Sequence, residues 1–140
     1  MTSVKDMSLE EAAGTAIAIL LGDPNRKSSW TGEDWAGELR EAYDIDEADD
    51  WSALSDNGSA WQEAKYESSE DTLDNLTAKV VSEYGGEGKG DQYWMVVSLS
   101  DGETTRYFRK DGWYASYDGG SLDGDTYEVK PAERLVTYYE

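Results

Sequence analysis

The chain has 140 residues, thirty-one Asp and Glu against twelve Lys and Arg, a formal charge of −19, and neither His nor Cys. Such a charge repels nucleic acid and anionic lipid and attracts basic partners. The missing residue types exclude disulfides, thiolate chemistry, the usual general base and the commonest transition-metal ligand.

The length fits a single domain over 1–140. Six Trp, ten Tyr and a single Phe, Phe108, supply much of the expected core. High charge and low hydrophobic content drift towards disorder, but the aromatics and the periodicities below favour a folded chain. No stretch reaches the roughly 18 apolar residues that span a bilayer. The apolar run Ala12 to Leu21 follows Glu10 and Glu11 rather than a basic n-region, so no signal peptide is read and a cytoplasmic protein is expected.

Ser8 and Glu11 form a capping box that starts a first helix through Leu9, Ala13, Ala16, Ile17 and Leu20, with Gly22 as its stop. Asp23-Pro24-Asn25 reads as a turn. A second helix starts at Thr31, with Trp30 stapled onto Trp35. Its apolar face is Trp35, Leu39, Ala42 and Tyr43, and Asp34, Glu38 and Glu41 form a neighbouring stripe. Asp46 to Leu54 predicts a short helix with Trp51 and Leu54 inward. Asp56-Asn57-Gly58 predicts a turn, and Ser59 a cap for a piece carrying Trp61 and Ala64.

The segment Glu70 to Tyr84 predicts a helix with Leu73, Leu76, Thr77, Val80, Val81 and Tyr84 on its inner face, ended by Gly85-Gly86. After it the period changes to two. Strands are expected at Tyr93–Leu99, Thr104–Arg109, Trp113–Tyr117, Thr126–Val129 and Leu135–Tyr139, with hairpins at Asp101-Gly102 and Asp111-Gly112. The expected class is α+β: a helical part of three to four helices over 1–84, a Gly-rich connector over 85–91, and an antiparallel meander of four to five strands over 92–140.

No metal or cofactor is expected. The turn from Asp118 to Asp125 is acidic and Gly-rich but lacks the calcium nonapeptide spacing. The stretch from Asp44 fails the EF-hand pattern at Asp49 and Ser55. No serine has a His to activate it, and no phosphate-cradling loop is present. No catalytic residue is assigned and the chain is not expected to be an enzyme. A hydrolase using only a carboxylate pair is an alternative. The aromatics of the strand half are expected to stabilise strands by cross-strand pairing; a stacking platform for bases or sugars is the other reading.

The acidity is local. Between Glu33 and Asp74 fifteen acids meet two bases, Arg40 and Lys65, whereas residues 92–140 hold nine acids and five bases. Like charges one helical turn apart oppose helix formation by about 0.2–0.5 kcal/mol per pair, so their accumulation points to a use for the field. Carboxylates at that spacing stand roughly 6 Å apart, similar to successive phosphates of a DNA strand. Asp34, Glu38 and Glu41 give one such row. Glu67 or Glu70, Asp71 and Asp74 give another, with Asp44, Asp46, Glu47, Asp49 and Asp50 between them. These twelve acids are the expected partner-binding residues.

In charge, size and lack of catalytic groups the chain resembles small DNA-mimic proteins that phages use against restriction or CRISPR effectors. The resemblance carries no alignable motif and no residue assignments. The expected function is therefore a non-catalytic binder of a basic protein, most specifically a DNA-mimic inhibitor of a nucleic-acid enzyme or nuclease complex, with no direct binding of nucleic acid or membrane. An immunity protein for a basic nuclease toxin and a phage structural or assembly protein are further alternatives.

Overall fold

A computed structural model describes residues 3–21, 34–46, 51–67, 70–73, 75–85, 90–115 and 119–130. Its helices precede an antiparallel sheet, so the fold is α+β. Helices α1 (Leu9–Leu21), α2 (Asp34–Ala42) and α3 (Gly58–Glu67) are accompanied by 3₁₀ turns at Val4–Asp6 and Trp51–Asp56. The strands are β1 (Glu70–Leu73), β2 (Leu76–Tyr84), β3 (Gln92–Ser100), β4 (Thr105–Ala115), β5 (Gly119–Ser121) and β6 (Thr126–Val129). The sheet runs β1-β2-β3-β4-β5, and β6 also pairs with β4.

The capping box works as expected: the Glu11 amide donates to Ser8 Oγ at 3.0 Å. Helix α1 is then apolar on every side, and Ala12, Ala13, Ile17, Ile19, Leu20 and Leu21 are all buried. A helix apolar all round belongs in the middle of a protein. It packs on the sheet, on α3 and on the 3₁₀ turn Trp51–Asp56. Gly14 makes the last contact possible, because a Cβ there would overlap the Trp51 carbonyl oxygen.

Helix α3 is capped by Asn57, whose Oδ1 accepts from the Ala60 amide at 2.9 Å, rather than by Ser59. Trp61 and Ala64 are fully buried. The Trp61 indole N–H donates to the Ser55 carbonyl at 3.1 Å.

The segment expected as a helix over Glu70 to Tyr84 is instead the β1–β2 hairpin, so the helical part ends at Glu67 and the sheet begins at Glu70. Asn75 lies in the turn, and Thr72, Thr77, Val80 and Val81 supply β-branched strand residues. Thr72 sits opposite Thr77 and Leu73 opposite Leu76. A register shift between Val80 and Ser82 then re-aims the end of β2. Residues 85–91 link β2 to β3 as neighbouring antiparallel strands.

The Asp101-Gly102 hairpin forms as expected, with Gly102 at φ 95°. Asp111-Gly112 does not reverse the chain; both residues lie inside β4. Glycine is needed there for another reason, since a Cβ on Gly112 would overlap the Ser121 carbonyl oxygen. The stretch from Gly119 is not only a turn, because Gly119–Ser121 adds β5 to the sheet edge. The strand expected at Leu135–Tyr139, the stop at Gly22, the Asp23-Pro24-Asn25 turn and the Trp30–Thr31 helix start lie outside the described residues.

Alternation along the strands gives the sheet two faces. Tyr93, Met95, Val97, Leu99 and Phe108 are buried beneath the helices. The N-terminal 3₁₀ turn is fastened to the same layer. The Val4 amide donates to Asp101 Oδ2 at 2.9 Å, and Arg106 Nη1 donates to the carbonyls of Val4 and Met7, each at 2.8 Å.

Candidate functional site

The acidic residues singled out above fall into three groups. Asp34, Glu38 and Glu41 lie on α2 at i, i+4 and i+7, which helix geometry places along one side. Glu41 is exposed, as are Asp44 and Asp46 just beyond the helix end. Glu67 closes α3, while Glu70 and Asp71 are consecutive residues of β1. Consecutive strand residues point to opposite faces, so the second helical row does not form. Glu47, Asp49, Asp50 and Asp74 lie outside the described residues.

The end of α2 has a distinctive backbone. The Ile45 amide donates to the Arg40 carbonyl at 2.8 Å and the Asp44 amide to that of Glu41 at 3.3 Å, the pairing of a Schellman cap. Asp44 occupies its left-handed position at φ 57°, where glycine is usual, and is the single positive-φ residue other than glycine among those described. Ile45, the next residue, is buried. Arg40 lies with its guanidinium carbon 4.1 Å from the centre of a Trp51 ring and donates to the Asp46 carbonyl at 2.9 Å.

Five of the eight described basic residues are held in contacts with the rest of the fold. Lys110 is 1 % exposed; it donates to the Gly124 carbonyl at 2.8 Å and to Thr126 Oγ1 at 3.0 Å, and lies 3.6 Å from Asp56. Thr126 Oγ1 in turn donates to the Ser55 carbonyl at 2.6 Å, joining sheet to 3₁₀ turn. Arg106 makes a two-pronged pair with Glu128 at 3.0 and 2.8 Å. Lys65 reaches the Tyr93 hydroxyl at 3.0 Å and Glu83 at 3.2 Å. Burial opposes its charge, but the hydrogen bonds to Tyr93 and Glu83 outweigh it and raise the ammonium pKa above its ordinary value. Arg40, Lys65, Arg106, Arg109 and Lys110 are thus part of the packing, whereas Lys5, Lys79 and Lys130 are exposed, as are Asp6, Glu10, Glu41, Asp44, Asp56 and Asp123.

The outer sheet face carries a ladder across four strands. Tyr84 of β2 stacks on Trp94 of β3 at 5.7 Å and 14° between planes. The Arg109 guanidinium of β4 lies 4.5 Å from the Trp94 ring centre and 6.0 Å from that of Tyr127 on β6. Arg109 Nε also donates to Asp111 at 2.7 Å, and the Tyr127 hydroxyl donates to the same carboxylate at 3.1 Å. Cross-strand aromatic pairing was expected in the strand half; here the stacked pair is Tyr84 and Trp94, with Tyr84 coming from the segment expected as a helix. Trp113 stands apart from it and is 58 % exposed.

A cleft between the start of α3 and the β5–β6 loop is lined by Asn57, Ser59, Gln62, Glu63 and Asp123. Among the described residues no group of three or more Asp, Glu, His or Cys is placed to hold a metal ion. No helix among them is long and apolar enough to cross a membrane. Comparison with protein-family models, curated proteins and solved structures gave no match.

Proposed function

We propose that this protein is a non-catalytic binder whose acidic surface occupies a basic surface on another protein. The observation that carries this reading is the disposition of charge: five of the eight described cations are held in packing, while Glu41, Asp44 and Asp46 stand exposed at the end of α2. A surface with this excess of acids favours fast, salt-sensitive association with a cationic partner. The helical row Asp34, Glu38 and Glu41, continued by Asp44 and Asp46, is the segment best suited to contact. Asp44 adds a second argument. An acid held where glycine is easier costs roughly 1 kcal/mol of backbone strain, and such strain accompanies function more often than packing.

The most specific form of the proposal is imitation of DNA, by which the protein inhibits a nucleic-acid enzyme or a nuclease complex. The test is binding to purified DNA-binding proteins and nucleases, with duplex DNA as competitor. A complex that DNA displaces, and that weakens about tenfold or more in the combined variant E41K/D44N/D46K, is the expected result. An unaffected complex would overturn the assignment of this segment. Asp44→Gly sharpens the test: it should raise stability by up to about 1 kcal/mol while weakening the complex. A gain in stability with binding unchanged would make Asp44 a structural residue only.

A further inference from the structure

Register places Gln92 opposite Trp113 and Trp94 opposite Asp111, so all four side chains share the outer face at one end of β3 and β4. They border an open cleft of about 290 Å³ that Asp91 and Arg109 also line. Trp113 presents more than half its surface to water, and Asp91 is exposed as well. No described cation pairs with Asp91.

We propose that this cleft seats an arginine side chain of the basic partner protein, stacked on Trp113 and ion-paired with Asp91. The inference rests on the binding function proposed above and adds a contact on the sheet, away from the α2 segment. Its chemistry already exists one step along the same face. There Arg109 lies against Trp94 and bonds Asp111, an arrangement of indole, guanidinium and carboxylate. Arg109 also lines this cleft, its charge met by Asp111, whereas Trp113 and Asp91, which line it too, have no described cation against them. An electron-rich indole face beside an anion selects a cation over a neutral ligand. A planar guanidinium suits it better than an ammonium, because it stacks and pairs at once. Tryptophan and arginine are also the side chains most often found at the energetic centres of interfaces.

The probes are a hexa-arginine peptide, a hexa-lysine peptide and a neutral oligosaccharide, followed through the Trp113 indole N–H resonance, which W113F identifies. The arginine peptide should shift that resonance and lose about tenfold or more in affinity with W113A. D91N should weaken binding less, and the lysine peptide should bind more weakly than the arginine peptide. Trp113 is exposed, so W113A keeps the fold, which circular dichroism verifies. An arginine peptide that binds with the Trp113 signal unmoved, and is weakened only by E41K/D44N/D46K, overturns this inference and leaves the proposed function standing. No binding of either peptide at low salt overturns both. A Trp113 shift produced by the oligosaccharide and not by the peptides overturns the arginine assignment.

Discussion

Phe108, Arg109 and Lys110 are neighbours in sequence, yet they divide between two sides of one sheet. Phe108 and Lys110 face the helices and are fully buried, while Arg109 lies on the outer face among aromatic rings. The two cations make equally definite contacts in different surroundings. Lys110 satisfies carbonyl and hydroxyl oxygens that water does not reach. Arg109 pairs with a partly exposed carboxylate across a solvated surface. The number of polar contacts is thus a poor guide to what a charged side chain contributes; the medium around it decides.

That contrast can be broken by deleting side chains in turn. Phe108→Ala removes a fully buried ring and should cost about 3–5 kcal/mol in urea unfolding. Lys110→Ala should cost about 2–4 kcal/mol, because it leaves the Gly124 carbonyl and Thr126 hydroxyl with fewer partners and removes a buried alkyl stem. Arg109→Ala should cost only about 0.5–1 kcal/mol, the scale of a solvated ion pair with a cation–aromatic contact. Equal losses for the last two would erase the distinction between the faces.

The smallest effect is confined to acid. The Asp101 carboxylate accepts backbone N–H groups of Thr104, Val4 and Glu103, which pull its pKa from 3.8 down to about 2. A lowered folded-state pKa stabilises the fold above the unfolded value, and that stabilisation disappears as pH falls through the folded one. Between about pH 4 and pH 2 the melting temperature should therefore fall more steeply in the parent protein than in Asp101→Asn, which loses the charge but starts lower at neutral pH. Parallel profiles would show that Asp101 fastens the N-terminal turn without its charge.

Much of this architecture could be read directly from the chain. Ser8 and Glu11 announced α1, and the apolar, aromatic and β-branched run from Tyr93 to Leu99 announced β3. The β1–β2 hairpin was missed because Leu73, Leu76, Thr77, Val80 and Val81 fit a helical spacing; Asp74-Asn75 and the β-branched residues were the competing signal. At Asp111-Gly112 a hairpin dipeptide was overridden by tertiary demand, since Gly112 admits the Ser121 carbonyl. The negative balance of the surface was legible by counting. The inward direction of the cations was only partly so: with Phe108 in the core, alternation puts Arg106 and Lys110 on its side. What they bond to depends on loops distant in sequence. Trp113 carried no local mark of its exposure, because a strand tryptophan reads alike on either face.

The all-round apolar α1 has a consequence during synthesis. It is completed about seventy residues before β3, the strand whose inner face covers it. At about 5–20 residues per second, it waits roughly 4–14 s after emerging from the ribosome before that cover exists. For that interval the oily helix has only the 3₁₀ turn Trp51–Asp56 and α3 to pack on and lacks its sheet cover, so early chaperone capture or slowed translation over residues 22–91 should govern the yield of folded protein.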